Sequence, residues 1–239
     1  MRTYGQYCPI ARAAEVFAER WTPLIIRNIA LGCDTFTEIL HGAPGLSRTL
    51  LADRLRELER RALVARDRSG PAPRYTLTEA GEGLWDVCRV LGTWGAHWME
   101  LTPDHLDPAV VLWTMCHSAD PATLPHTRVV VRIDFPAARK PNRFWLLYDR
   151  GELEVCIKPP GETEDLVVTA DPAGFARWHM GWTEWAQELR SGHITIAGPT
   201  DLARAFPTWN ARSTFAGVPP HPDVVAAAPR GAPVTPAHH

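Results

Sequence analysis

Along the first hundred residues, apolar positions fall at helical spacing. Residues 10–18 alternate polar and apolar side chains behind Pro9, whose fixed φ suits a first helical position. Pro23 opens a second segment in which Leu24, Ile25, Ile26 and Ile29 are nearly all apolar, and Gly32 stops it. Asp34 or Thr35 can cap a short helix over residues 36–41, which the run Gly42-Ala43-Pro44-Gly45 then breaks. Ser47 caps a longer helix reaching about Arg61. Its Leu51, Leu55 and Leu58 form a stripe to be buried, while Arg48, Thr49, Ala52, Arg56 and Arg60 lie elsewhere on its surface. Two extended pieces, 63–66 and 74–77, flank a Gly/Pro-rich loop and predict a β-hairpin. Thr78 caps the last helix of this half, 79–99, with Leu84, Val87, Cys88, Leu91 and Trp98 on one face. A helix this long at the edge of a small domain predicts packing on a dimer partner.

Beyond a linker at 103–107 the period changes. Asp107-Pro108 opens a helix through Met115, and strands are predicted at 128–135, 143–149, 153–158 and 165–169. Asp171-Pro172 starts a helical region carrying Phe175, Trp178, Trp182, Trp185 and Leu189. A strand at 194–197 and a helix at 202–209 follow. From 217 to 239 six prolines fall in 23 residues with little periodicity, which predicts a disordered tail. The expected class is α+β in two domains, 1–102 and 103–216, the second a sandwich with one mixed sheet covered by helices.

Composition narrows the function. The 239 residues are 45% hydrophobic and 22% charged, with a formal net charge of −2, the profile of a soluble globular protein. No apolar run approaches the roughly 18 residues that a membrane span needs. The N-terminus lacks the layout of a signal peptide, so a cytoplasmic location without membrane association is expected. Cysteines at 8, 33, 88, 116 and 156 fit no disulfide framework and no paired metal site. A bulk charge near zero excludes nucleic-acid binding through sheer positive charge, so any such binding must be local. Between Ser47 and Tyr75 eight arginines face four acids. Because arginine outnumbers lysine 23 to 2 overall, the clustering carries the signal and the residue type does not.

Helices followed by a two-stranded wing is the winged helix-turn-helix plan. A helix fits the major groove, its first turn presents donors to base edges, and flanking cations neutralise phosphates. Ser47, Arg48 and Thr49 open the reading helix, Arg54 and Arg56 continue it, and Arg68 and Arg74 belong to the wing. Such a cationic amphipathic helix is equally well read as a solvated face, with Arg56 and Arg60 pairing with Glu59 or Asp53.

The order of motifs adds to that reading. Tyr7-Cys8-Pro9-Ile10, Glu19-Arg20-Trp21-Thr22-Pro23-Leu24-Ile25-Ile26-Arg27 and Phe36-Thr37-Glu38-Ile39 resemble the HxlR-type regulators, relatives of the MarR proteins. So do Pro44-Gly45-Leu46-Ser47, Arg54-Leu55-Arg56-Glu57-Leu58-Glu59 and Tyr75-Thr76-Leu77-Thr78-Glu79-Ala80-Gly81. The resemblance covers about residues 7–98. It implies a homodimeric transcriptional regulator on a partly palindromic double-stranded DNA operator, paired through the first and last helices of the domain. One departure is that Gly42 and Ala43 stand where bulkier residues are common. Cys8 occupies a place where some HxlR-type regulators sense electrophiles, which implies a redox role. An inert, half-buried cysteine is the other reading.

In the second half, Trp178-His179-Met180-Gly181-Trp182 and Ser191-Gly192-His193-Ile194-Thr195-Ile196-Ala197-Gly198-Pro199 resemble the end of sterol carrier protein type two domains. That likeness, over 108–216, implies an apolar tunnel, and hence a hydrophobic small-molecule effector with Trp145, Trp178, Trp182 and Trp185 lining its pocket. Those rings filling an ordinary core is the plainer reading. No nucleophile–base set, phosphate loop or metal spacing is present, so neither catalysis nor a cofactor is expected. The competing function is a lipid or acyl-chain carrier whose helical half serves assembly.

Overall fold

A computed structural model of the chain describes residues 3–227. The N-terminal half runs α1 (Pro9–Phe17), α2 (Thr22–Ala30), α3 (Phe36–His41), α4 (Arg48–Arg60), β1 (Val64–Asp67), β2 (Arg74–Leu77) and α5 (Glu79–Trp98). The helix starts follow local chemistry. Thr35 and Glu38 form a reciprocal capping box at α3, Ser47 Oγ accepts from Leu50 N at α4, and Thr78 Oγ1 accepts from Gly81 N at α5. Ile25, Ile26, Ile39, Leu51, Leu55, Leu58 and Val64 close one core. β1 and β2 pair antiparallel with Val64 opposite Leu77 and Asp67 opposite Arg74. The sheet is widened by the segment before α3. Thr35 bridges Arg74, and Tyr75 N donates to Asp34 O at 2.7 Å.

The linker holds a single 3-10 turn at Pro103–His105. The second unit runs α6 (Pro108–His117), β3 (Val129–Asp134), β4 (Arg143–Asp149), β5 (Glu152–Cys156), β6 (Leu166–Ala170), α7 (Pro172–His179), α8 (Trp185–Arg190), β7 (Ile194–Ala197) and α9 (Thr200–Trp209). Its five-stranded sheet has the order β5-β4-β3-β6-β7, with β3 and β6 parallel and the other neighbours antiparallel. It is a mixed sheet, as expected. Val131, Ile133, Phe144, Leu146, Tyr148, Leu166 and Val168 face the helices and pack on Leu112, Met115, Phe175, Trp178, Trp185, Phe206 and Trp209. The other face buries a smaller cluster, Val130, Trp145 and Leu147, beside Cys156. Side chains alternate across a strand, so neighbours in the run Phe144-Trp145-Leu146-Leu147 serve opposite faces.

The tail expected to be disordered from 217 folds back over the described part of its length. Phe215 packs on Gly92 of α5, where a Cβ would meet the ring at 2.2 Å. His97 donates from Nδ1 to the Pro219 carbonyl at 2.7 Å, and His221 N donates to the His97 carbonyl at 2.7 Å, capping the end of α5. The His221 ring stacks on Trp98 with centroids 4.4 Å apart. A further helix, α10 (Pro222–Ala227), follows. Prolines in this segment leave few backbone donors but free carbonyls, and those carbonyls are what α5 and Trp182 engage. The remainder of the expected tail, 228–239, lies outside the described residues.

Candidate nucleic-acid interface

The start of α4 is open to solvent. Ser47, Arg48 and Thr49 are exposed, whereas Leu51, Leu55 and Leu58 are fully buried beneath them. The caps and stripe therefore fix which side of α4 faces outward. Ser47 uses an oxygen lone pair on Leu50 N, which leaves its hydroxyl proton available to a phosphate or base acceptor. The first-turn amides and the helix dipole favour an anion at the same place. The Arg48 guanidinium lies over the Phe36 ring, 5.0 Å from its centroid.

The remaining arginines of the cationic window are largely engaged. Arg56 pairs with Asp53, Arg60 and Arg61 pair with Glu57, and Arg74 pairs with Asp34. The hydrogen bond to Asp34 raises the Arg74 pKa further. Arg66 rests over Tyr75 at 5.6 Å. Arg54 departs from its expected place in the reading surface. It turns inward to Glu19 at the end of α1, and its Nε is buried without a partner. Arg54 stands six positions after Arg48, roughly a third of the way round the helix at 3.6 residues per turn, so it does not share the exposed face of Arg48. Arg68 is exposed in the wing loop and has no acidic partner among the described residues. Ser47, Arg48, Thr49 and Arg68 thus form the open set, with Arg56 and Arg74 exposed but paired.

Two residues not singled out from sequence hold the helix-turn-helix together. Asn28 is fully buried and donates from Nδ2 to the Ile39 carbonyl at 2.8 Å. Arg27 donates to the Gly42 carbonyl at 2.6 Å and to Asn28 Oδ1 at 2.8 Å. An Arg-Asn pair inside the otherwise apolar α2 was the available signal, since buried polar side chains are retained only with partners.

The four tryptophans assigned to an effector pocket do not converge. Trp178 and Trp185 pack edge-to-face in the main core with centroids 4.8 Å apart, and Trp185 continues onto Phe206. Trp145 belongs to the opposite sheet face, where its Nε1 donates to Glu164 at 3.1 Å. Trp182 lies between α7 and α8 and donates to the Val218 carbonyl. The expected common pocket is not formed by these four rings, because side-chain alternation along β4 puts Trp145 on the opposite sheet face from Trp178 and Trp185. Cys8 is half-buried at the N-cap of α1 and caps no amide with its side chain. Among the described residues no group of three His, Cys, Asp or Glu side chains could hold a metal ion. No helix among them is long and apolar enough to cross a membrane.

Three helices, a paired wing and an open first turn on α4 define a winged helix-turn-helix DNA-binding protein. The sequence profile of the HxlR-like helix-turn-helix family matches residues 16–103. The uncharacterized HTH-type transcriptional regulator YvaP of Bacillus subtilis is 32% identical over 107 residues, which are 43% of this chain and 97% of that protein. The HTH-type transcriptional regulator YodB of the same organism is 35% identical over 97 residues, 39% of this chain and 87% of YodB. The chain belongs to the HxlR-like helix-turn-helix family, and these relatives are HTH-type transcriptional regulators. The reduced form of YodB superposes with a TM-score of 0.34 over 38% of this chain and 92% of that one, at 35% identity. The UbiJ-SCP2 ubiquinone synthesis protein gives a TM-score of 0.29 at 16% identity, over 36% of this chain and 67% of that one. That likeness is too slight to bear on function.

Proposed function

We propose that this regulator acts as a homodimer that reads a partly palindromic operator, setting the first turn of α4 in the major groove and the wing along the backbone. The observation that carries the reading is the open first turn, Ser47, Arg48 and Thr49, set on the buried stripe of Leu51, Leu55 and Leu58. Arg68 supplies a wing cation for phosphate, with Arg56 and Arg74 at the margins. Dimerisation is supported by α5, whose Val87, Val90, Leu91, Trp94 and Trp98 leave an apolar face exposed in one chain. Selection of bound genomic fragments followed by gel-shift titration tests the reading. Sequence-selective retention with a steep salt dependence is expected. Equal affinity for every duplex would overturn it.

We propose a redox role for Cys8, which is half-buried at the N-cap of α1. Burial pushes the Cys33 thiol up to about 12 and the Cys88 and Cys116 thiols up to about 11, which makes those three poor nucleophiles. YodB has been solved in diamide-treated and quinone-bound forms.

A further inference from the structure

The family match ends at residue 103, yet one side chain beyond it enters the helix-turn-helix. Trp113 belongs to α6 of the second unit and packs against the core of the first. Its ring edge occupies the space that a side chain at residue 42 would need. A Cβ on Gly42 would meet Cζ2 at 2.3 Å and Cη2 at 2.6 Å. Gly42 caps the end of α3 and opens the turn leading to α4. The packing of the indole on this turn leaves no room for a side chain at position 42.

The same indole roofs the groups that hold the turn. The Arg27 guanidinium lies over the Trp113 ring, 5.3 Å from its centroid, while donating to the Gly42 carbonyl. Arg27 also donates to Asn28, which in turn donates to the Ile39 carbonyl. The last carbonyls of α3 are therefore fastened by two α2 side chains under a ring supplied from the other unit. His117 stacks on that ring at 4.3 Å and donates to the Trp113 carbonyl at 2.9 Å. Water admitted at this point would compete for the Arg27–Gly42 hydrogen bond. Ala43 and Leu46, buried within the turn, would then be free to shift with the start of α4.

We propose that Trp113 is a positioning residue for operator recognition: it holds Arg27 on the Gly42 carbonyl and so sets how α4 is presented to DNA. Through this contact the second unit bears directly on the reading of sequence. The proposal rests on α4 being the reading helix. A role in folding alone would lower stability without changing the ratio of specific to random affinity.

The test uses the full chain carrying Trp113→Ala, Gly42→Ala or Trp113→Phe, titrated against a selected genomic fragment and a random duplex of equal length, with thermal unfolding run in parallel. Gly42 has an ordinary right-handed helical φ of −74°, so alanine there strains no backbone. Its Cβ displaces both the indole and the Asn28 amide, whose Nδ2 would lie 2.6 Å away, whereas Trp113→Ala disturbs the indole alone. Trp113→Ala and Gly42→Ala should lose about fivefold or more in affinity for the fragment, with random-duplex affinity and salt slope unchanged. Trp113→Phe, which keeps an aromatic roof, should recover most of the loss. Wild-type discrimination in either folded alanine variant overturns the proposal, as does equal loss on both duplexes or failure of both variants to fold. If the wild-type chain shows no preference among duplexes, the DNA-reading assignment itself falls, and this role falls with it.

Discussion

The Arg48 guanidinium lies over the Phe36 ring at 5.0 Å, so one helix of the helix-turn-helix braces the first side chain of the other. This stacking limits the rotamers of an exposed arginine before any base is met, and a preorganised fork loses less entropy on binding. Arg48→Ala should cost about 1–3 kcal/mol of discrimination against the wrong base, read as the difference in affinity between the selected fragment and a random duplex. Arg48→Lys should keep the salt dependence and still lose discrimination. Unchanged selectivity in both variants would remove Arg48 from the reading surface.

Arg54 has a different fate from Arg48 although both lie on α4. Its pairing with Glu19 joins the reading helix to the end of α1, and its Nε has already lost water without gaining a partner. Glu19→Ala should therefore lower stability by about 1–3 kcal/mol in urea unfolding, because it leaves a partly buried guanidinium without its acceptor. The ratio of specific to random affinity should remain that of the wild type.

His179 is buried at the end of α7, with Nδ1 unpartnered, and burial lowers its pKa to about 4. The folded protein thus keeps the imidazole neutral where the unfolded chain, near pKa 6.5, takes up a proton. Stability from this group is complete above pH 6.5 and falls as the pH drops toward 4, by about 1.4 kcal/mol per unit. Below 4 it levels off. The difference in unfolding free energy between wild type and His179→Gln, measured at pH 7.5 and pH 5, isolates the effect. A difference independent of pH would refute it.

Val90 and Trp94 are among the most exposed apolar side chains of α5, at 71% and 53%. Charge placed in a buried interface goes unpaired and is strongly unfavourable. Val90→Glu or Trp94→Glu should shift sedimentation from dimer to monomer and weaken operator retention, with the melting of the isolated subunit little changed.

The partial exposure of Cys8 and the raised pKa of three other thiols set an expected order of reaction. Iodoacetamide at pH 8 should modify Cys8 well before Cys33, Cys88 or Cys116, as followed by peptide mass mapping. Labelling of Cys33 first would contradict its burial.

Local chemistry made much of this fold legible. Caps such as Ser47, Asp107 and Asp171 marked helix starts, and the leucine spacing of α4 told its inner face from its outer one. Where apolar residues occupy both sides of a strand the signal vanishes. Phe144 through Tyr148 read as one hydrophobic run, so nothing in it told that Trp145 faces away from Trp178. Pairings distant in sequence were equally silent. Trp113 looks like any core residue of α6, and its place against Gly42 depends on how two units meet. The paired state of Arg56 was foreseeable from Asp53 three positions earlier, whereas that of Arg54 with Glu19 was not.

The seat of Phe215 on Gly92 joins positions 123 residues apart. As the polypeptide leaves the ribosome, α5 must wait for the whole second half before that notch is filled. Until then the flank of α5 at Gly92 stays bare, so the first unit completes its surface only once the second has been made.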